Sequence, residues 1–353
     1  MMKKVTEYLK NPPLSKSDLE KKIILCPSYG WIKPTVNDLE DSAKQLIALC
    51  DNEAGERFGA RVLSFADVLH NYRDTVIIAA VWDKEDREDL IRQIRGHGFP
   101  LVTDIYEYIF SKACHGVISK KKELHYLEKA WDFFEDENSR EIILNKALHY
   151  LGAIRETPFE LPQYFIPFMD IAEDEIFADC GFFNGDTAEI FLDVTGGKFK
   201  KYYGFEPNTK NITEVKPEIK DDSCFERFEI VQAGVHSYCT TLMFSDDFDD
   251  ASSFELKGDG NIEVPVVSLD AFFADKEKPT FIKMDIEGSE INAILGAKTL
   301  LGTYKPKLAI CVYHKPEDII EIPRLLREIV PEYKFLLKQH SDINADTVLY
   351  CKV

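Results

Sequence analysis

Short apolar runs alternate with amphipathic segments along the first third of the chain. KKIILC (21–26), KQLIALC (44–50) and DTVIIAAVW (74–82) are rich in Ile, Val and Leu and predict buried β-strands. Apolar residues recur at helical spacing in 83–99, which predicts an amphipathic helix. Alternating strands and helices favour a small parallel α/β domain, which we assign to residues 1–118.

A helical linker region is predicted over residues 119–168. The stretch 120–155 is amphipathic, and TPFELPQYFIP (157–167) contains three prolines that favour an extended connection.

A second α/β series is predicted over residues 169–353. Its predicted parallel strands are IFADC (176–180), KYYGFE (201–206), FEIVQAGV (228–235), TFIKMD (280–285) and LAICVY (308–313). Two late runs, 334–340 and 346–353, flank a polar turn and predict a terminal antiparallel hairpin. The predicted fold class is α/β: a mostly parallel sheet closed by this hairpin, preceded by a smaller Rossmann-like α/β domain.

Charge and cysteine content narrow the classes of partner and compartment. The 353 residues carry a formal net charge of −19, which disfavours nucleic acid and anionic membrane surfaces as partners. Eight cysteines occur without a C-x-x-C pair, as expected for reduced thiols of a cytosolic protein. The N-terminal stretch lacks the apolar core of a signal peptide, and the apolar runs are far shorter than the ~20 residues of a membrane span. We therefore predict a cytoplasmic protein.

The candidate chemistry begins at FADCGFFNGDTAE (177–189), which follows the first strand of the second series. Glycine in such a turn lets a ligand approach the backbone. Glu206 ends the next strand about 20 residues beyond Gly185, where a ribose-binding carboxylate is expected. NAD and S-adenosyl-L-methionine both contain a ribose, so the spacing leaves both cofactors open.

The acids of this loop favour S-adenosyl-L-methionine. A pyrophosphate binds bare backbone N–H groups at a helix N-terminus, and Asp179 and Asp186 would repel it. S-adenosyl-L-methionine carries no phosphate but has a sulfonium and an ammonium group, which these carboxylates attract. A tight turn with a helix cap at Asp186-Thr187 and no ligand is the alternative.

An ordered set of motifs over roughly residues 170–353 resembles the FkbM family of S-adenosyl-L-methionine-dependent methyltransferases. The motifs are D-x-G-x-x-x-G-D-T (179–187), F-E-P-N (205–208), VPVVSLD (264–270), FIKMDIEGSE (281–290) and YHKPED (313–318). The resemblance implies a class I methyltransferase fold, and many members resemble O-methyltransferases acting on hydroxyls of sugars, glycans or polyketide-type metabolites. The turn CPSYGW (26–31) resembles a degenerate glycine-rich turn, so a nucleotide is not expected in the N-terminal domain.

The resemblance also implies a set of cofactor-binding residues. They are Asp179, Cys180, Gly181, Asn184, Gly185, Asp186, Thr187, Glu206, Asn208, Ala233, Gly234 and Asp285. Within this set Glu206 would hold the ribose, and residues 233–235 would lie against the adenine. Ser252 and Ser253 belong to a polar loop that could complete the site.

The acceptor side is predicted at two strand ends, because ligands of open α/β sheets bind beyond the carboxyl ends of strands. His314 is the first candidate for the base that takes the acceptor's proton, since the pKa of histidine lies near neutral pH. Asp285 and Glu287 would orient the acceptor or act as the alternative base. These three residues offer metal ligands, but nothing in their spacing demands a metal and none is predicted.

The sequence therefore predicts an S-adenosyl-L-methionine-dependent O-methyltransferase that forms S-adenosyl-L-homocysteine. Its expected acceptor is a hydroxyl of a small molecule or glycan precursor, without a nucleic-acid partner. Two alternatives stay open: an NAD-dependent oxidoreductase using the same loop, and a non-catalytic S-adenosyl-L-methionine-binding interaction protein. A homo-oligomer or a protein partner of the N-terminal domain is also left open.

Overall fold

The structure of the chain is a computed structural model. It describes residues 1–27, 39, 44–57, 60–81, 84–99, 101–116, 121–153, 161–215, 219, 223–244, 262–341 and 345–353. Ser252, Ser253 and most of the turn after the first strand lie outside the described residues. The chain divides into two compact units, Met1–His125 with Leu144–Arg155 and Tyr126–Ile143 with Glu156–Val353.

The first unit contains a six-stranded sheet in the order β3-β4-β2-β1-β5-β6. Its strands are β1 (Lys22–Cys26), β2 (Leu46–Asp51), β3 (Gly55–Arg57), β4 (Ala60–Ser64), β5 (Thr75–Ala79) and β6 (Val102–Asp104). Its helices are α1 (Met2–Tyr8), α2 (Phe65–Asn71), α3 (Lys84–Gly96) and α4 (Ile105–Cys114). All neighbouring strands pair in parallel except β3, which runs antiparallel to β4.

The sequence of β1 is a continuous apolar run because both faces of the strand are buried. Ile23 and Leu25 belong to one buried cluster, whereas Ile24 and Cys26 belong to another. Successive side chains of a strand point to opposite faces, so both faces of this parallel sheet are covered.

Two helices follow the first sheet, α5 (Lys121–Phe133) and α6 (Glu137–Tyr150), and each contributes residues to both units. The break between them lies where Asp136 Oδ1 accepts a hydrogen bond from Ser139 N–H at 2.7 Å. No helix among the described residues is long and apolar enough to cross a membrane.

The second unit is built on a seven-stranded sheet in the order β15-β16-β14-β13-β7-β8-β9. Its strands are β7 (Ile176–Cys180), β8 (Lys201–Phe205), β9 (Phe228–Val231), β13 (Phe281–Met284), β14 (Lys307–Cys311), β15 (Lys334–Gln339) and β16 (Thr347–Lys352). A smaller sheet contains β10 (Gly234–Val235), β11 (Thr240–Phe244) and β12 (Ile262–Val267). The helices are α7 (Asp186–Thr195), α8 (Thr209–Thr213), α9 (Leu269–Phe272), α10 (Glu290–Leu295), α11 (Lys298–Tyr304) and α12 (Asp318–Ile329).

This topology confirms the predicted fold class. Five neighbouring strands of the seven-stranded sheet pair in parallel, in the order β9, β8, β7, β13 and β14. Strand β16 pairs antiparallel with both β14 and β15. The buried face of β7 packs against aromatic side chains, with the rings of Phe177 and Phe191 stacked at 4.9 Å. Strand order reverses between β7 and β13, and ligands of such sheets bind at the carboxyl ends beside that reversal.

One predicted strand, 228–235, is divided in the structure. β9 pairs with β8, whereas β10 pairs with β12 of the smaller sheet. Between them, Ala233 N–H donates to Val231 O at 2.8 Å, which closes a tight turn. The continuous apolar pattern did not reveal this turn, because both halves are partly buried.

Candidate functional site

A cavity of about 310 Å³ opens at the carboxyl ends of β7, β8, β10 and β13. The predicted residues that line it are Gly181, Asp186, Glu206, Gly234, Asp285 and Glu287. The structure therefore brings the loop after β7, the acid after β8 and the acids after β13 around one space.

Two glycines give the loop after β7 its shape. Gly181 has φ 94°, and a Cβ there would lie 1.9 Å from the carbonyl oxygen of Asp285. Gly185 has φ 89°, and its Cβ would lie 2.4 Å from Ile219 Cδ1. Both positions need glycine, because the backbone is left-handed and a neighbour occupies the space of a side chain.

Glu206 is buried, and N–H groups of the protein already hold its carboxylate. Its Oε2 accepts from Phe183 N–H at 3.0 Å. Its Oε1 accepts from Asn208 N–H at 2.8 Å and from Asn211 Nδ2 at 3.1 Å. Burial raises the pKa of Glu206, while these N–H groups act in the opposite direction. A carboxylate offers about four acceptor positions, so Oε2 keeps one for a ligand hydroxyl.

Several predicted cofactor residues do not line the cavity: Asp179, Cys180, Asn184, Gly185, Thr187, Asn208 and Ala233. Asp179 is fully buried and accepts from Tyr202 Oη at 2.6 Å. Asn208 caps α8 by accepting from Lys210 N–H at 2.9 Å, and its own N–H orients Glu206. These two residues therefore support the lining residues.

Lys283 is a cavity residue that the sequence analysis did not single out. Its ammonium group is buried, lies 2.9 Å from Asp179 Oδ1 and donates to the carbonyl oxygen of Gly181 at 2.7 Å. Burial opposes the charged form, but the carboxylates of Asp179 and Asp285 outweigh it and raise the pKa of Lys283 above its ordinary value. The position of Lys283 within the apolar run FIKMD could have marked it as a paired residue, because buried lysines are rare unless paired. Asn211, which also lines the cavity, gave no comparable signal.

The three predicted acceptor residues meet around the imidazole of His314. Its Nε2 lies 3.4 Å from Asp285 Oδ1 and 3.4 Å from Glu287 Oε2. Its Nδ1 lies 3.0 Å from Oε1 of Glu290, which was not among the predicted site residues. Tyr164 Oη donates to the other oxygen of Asp285, Oδ2, at 2.8 Å.

The carboxylates around His314 set the charges of this cluster. Burial opposes protonation of the ring, but Asp285 and Glu290 outweigh it and raise the pKa of His314 to about 10. Burial would likewise raise the pKa of Asp285, yet His314, Lys283 and Tyr164 hold it well below its usual range. These carboxylates therefore favour the protonated imidazole as long as no other cation lies between them.

Glu287 reaches the cavity from an uncommon backbone conformation. Its φ is 54°, and Gly288 follows with φ 88°. A non-glycine residue in the left-handed region costs of order 1 kcal/mol and is frequent at functional sites. Burial raises the pKa of Glu287 to about 7.

Comparisons with known proteins concern the family and the fold of the chain. Residues 179–337 match the family described as methyltransferase FkbM domain. A methyltransferase FkbM from Methylobacillus flagellatus has a similar structure, with a TM-score of 0.70, 21% sequence identity and coverage of 99% of this chain and 92% of that chain. At this identity the likeness shows the fold.

Weaker structural likenesses extend over about half of the chain. A SAM-dependent O-methyltransferase from Thermotoga maritima gives a TM-score of 0.32 at 12% identity, covering 54% of this chain and 67% of that chain. A precorrin-6y C5,15-methyltransferase from Geobacter metallireducens gives 0.35 at 9% identity, covering 55% and 93%. A search of curated proteins found no match.

Proposed function

We propose that the chain is an S-adenosyl-L-methionine-dependent O-methyltransferase, and the match of residues 179–337 to the methyltransferase FkbM domain is the premise of this proposal. Its acceptor would be a hydroxyl of a small molecule or glycan precursor. The observation that carries the proposal is the single cavity, which joins the ribose-type carboxylate of Glu206 to the cluster around His314.

The cavity fits the cofactor in charge and shape. The carboxylates of Asp186, Glu206, Asp285 and Glu287 line it, whereas Lys283, the lysine among the described lining residues, is already paired with Asp179. Acidic walls suit a ligand that carries a sulfonium and an ammonium group, and they oppose a pyrophosphate. This charge balance favours S-adenosyl-L-methionine over NAD.

Individual groups of the chain have distinct parts in binding. The remaining acceptor position of Glu206 Oε2 suits a ribose hydroxyl. The apolar side chains of Phe205, Val235 and Val266 offer a surface for the adenine ring. Gly181, which has no side chain, lets the methionine part approach the backbone.

On the acceptor side, Asp285 and Glu287 reach the cavity with carboxylate oxygens that can accept from the acceptor's hydroxyl. When bound, S-adenosyl-L-methionine would supply a methyl group on a positively charged sulfur, with S-adenosyl-L-homocysteine as the leaving group. Tyr164 and His314 fix the position of Asp285.

The eight cysteines, all free thiols, support a cytoplasmic location within the same proposal.

Calorimetry on the full chain tests the cofactor. S-adenosyl-L-homocysteine should bind wild type, and Glu206→Ala should weaken binding at least about tenfold, because a hydrogen bond to a charged group contributes roughly 1.5–3 kcal/mol. Glu229→Gln is the matched control, since that carboxylate pairs with Lys201 and Lys276 and does not line the cavity.

Two outcomes would decide against the proposal. Folded wild type that binds neither S-adenosyl-L-methionine nor its product would refute it. A rise in melting temperature with NAD but not with S-adenosyl-L-homocysteine would support the oxidoreductase alternative, because a ligand of the native state raises that temperature. Release of S-adenosyl-L-homocysteine with a panel of polyhydroxylated acceptors would separate an enzyme from a non-catalytic binding protein.

A further inference from the structure

We propose that Asp285, Glu287 and His314 form a binding site for a divalent cation. The ligand atoms would be Asp285 Oδ1, Glu287 Oε2 and His314 Nε2. The open coordination positions would face the cavity and take the oxygen of the acceptor, and only this last step rests on the proposed function.

The distances suit a shared cation. One ligand atom from each of the three residues lies within 4.8 Å of the other two. His314 Nε2 is 3.4 Å from each carboxylate oxygen named above. Neighbouring ligands of a six-coordinate cation with bonds of about 2.1 Å lie about 3 Å apart. The two distances from Nε2 exceed this spacing by only a few tenths of an ångström.

The orientation of His314 is an independent observation. Its side chain is only 8% exposed, and neither ring nitrogen makes a hydrogen bond of ordinary geometry, although Nε2 lies 3.4 Å from each of two carboxylates. On the other side of the ring, Nδ1 lies 3.0 Å from the fully buried carboxylate of Glu290. Histidines that bind metals commonly donate their second N–H to a carboxylate, which fixes the ring and presents the other nitrogen to the metal.

The surrounding loop holds Glu290 in this supporting position. Glu290 Oε1 accepts from Ile286 N–H at 3.0 Å and lies 3.4 Å from Gly288 N–H. Tyr164 similarly donates to Asp285 Oδ2, whereas Oδ1 faces His314 and accepts from Tyr313 Oη at 3.4 Å. The backbone after β13 thus brings both carboxylates to the imidazole that follows β14.

The donor set indicates the class of cation. Two carboxylate oxygens and one imidazole nitrogen suit Mn²⁺ or Mg²⁺, and the nitrogen favours first-row metals such as Mn²⁺. Asp285 and Glu287 line the cavity, so an acceptor oxygen can reach a cation held there. A cation at that point lowers the pKa of a bound hydroxyl, whose proton would pass to water at the open side of the cavity.

Metal binding to the full chain, stripped with a chelator and without cofactor, is the first test. Titration with Mn²⁺, monitored by the loss of the electron paramagnetic resonance signal of the free ion, should show one site per chain.

Asp285→Asn and Glu287→Gln should each weaken Mn²⁺ binding at least about tenfold. Glu290→Gln should weaken it by about 10- to 100-fold, as expected of a supporting carboxylate. Glu321→Gln should leave binding unchanged, because this carboxylate lies on an exposed face of α12 and pairs only with Arg324 at 3.8 Å among the contacts described.

The same preparation separates this inference from the proposed function. Folded wild type that binds S-adenosyl-L-homocysteine but none of Mn²⁺, Mg²⁺ or Zn²⁺ at millimolar concentration would overturn the cation site and leave the methyltransferase proposal intact. Mn²⁺ binding that survives in both folded Asp285→Asn and folded Glu287→Gln would also overturn it. Where an acceptor is found, a chelator should stop methyl transfer and Mn²⁺ should restore it.

Discussion

Two glycines of the second unit share a left-handed backbone but differ in their surroundings. Gly181 has φ 94° and would place a Cβ 1.9 Å from the carbonyl oxygen of Asp285. Gly196 ends α7 with φ 57° and has nothing within 4 Å of that position. Alanine at Gly196 would carry only the cost of the backbone conformation. Alanine at Gly181 would add the cost of a collision with the backbone after β13.

We predict that Gly196→Ala lowers stability by about 1 kcal/mol, which is the usual cost of a left-handed non-glycine residue. Gly181→Ala should lower stability by more than about twice that amount and also weaken binding of S-adenosyl-L-homocysteine, since Asp285 must move. Urea denaturation midpoints and calorimetry measure the two effects. Equal losses of stability in both variants would show that the loop after β7 yields easily, contrary to the structure.

Single residues also show where inference from sequence stops. Glu206 was predicted as a site residue from its distance along the chain from the glycine loop, and in the structure it lines the cavity. The partners of Lys283 could not be predicted, because Asp179 and the carbonyl of Gly181 reach it only through the pairing of β13 with β7. Glu290 could not be assigned to His314 for the same reason, since β14 separates them along the chain.

At the scale of elements, the N-terminus of α12 carries a buried acid with a pH-dependent effect on stability. Asp318 Oδ2 accepts from Lys315 N–H at 3.0 Å, and the side chain is almost fully buried. Burial, followed by the nearby charge of Glu290, raises the pKa of Asp318 from 3.8 to about 7. The folded protein therefore binds this proton more tightly than the unfolded chain does. The stability that the protonated carboxyl of Asp318 contributes is therefore lost as pH rises from about 4 to about 7.

Asp318→Asn keeps the hydrogen-bond acceptor but cannot ionise. We predict that it stabilises the protein more at pH 8.5 than at pH 5.5, by up to about 2 kcal/mol, with little further gain above pH 7. Thermal or urea unfolding at a series of pH values measures the difference. Glu321→Gln on the exposed face of α12 is the control and should retain the pH profile of wild type. A gain from Asp318→Asn that is equal at both pH values would contradict the raised pKa.

Strands with a clear apolar run between turn signals were predictable from the sequence. Strands that are defined by pairing with other strands were not. The strands IFADC and KFLLKQH were located to within a residue, because turn signals bound each apolar run. The short strands β3, β4 and β6 were not predicted; β3 and β6 have only three residues each, too few to show a period. The smaller sheet was missed because β10, β11 and β12 are defined by pairing with one another, and no local period shows that pairing.

At the scale of the whole molecule, the order of strands and helices was sufficient to predict an α/β chain with a terminal antiparallel hairpin. That order constrains topology strongly, because parallel strands need crossovers of fixed hand. The shape of the cavity was not predictable in the same way. Its wall combines the ends of four strands with Leu242 and Val266 of the smaller sheet, whose place depends on the tertiary fold.

Each unit contains a parallel α/β sheet, so the cofactor could in principle bind to either one. The structure favours the second unit, where the glycine loop and Glu206 line one cavity. Hydrogen exchange of the full chain with and without S-adenosyl-L-homocysteine tests this. We predict slower exchange in 181–187, 205–211 and 283–289, because a ligand of the native state suppresses the opening of the segments that hold it.

The strands β1, β2 and β5 of the first unit are the internal control in that experiment. Their exchange should not change, since the acids and glycines that suit the cofactor lie elsewhere along the chain. Glu206→Ala should remove the protection from the second unit at ligand concentrations that saturate wild type. Protection centred on β1, β2 and β5, and retained in Glu206→Ala, would place the cofactor in the first unit and contradict the site described for residues 179–337. The experiment thus assigns the ligand to a unit without relying on turnover or on the identity of the acceptor.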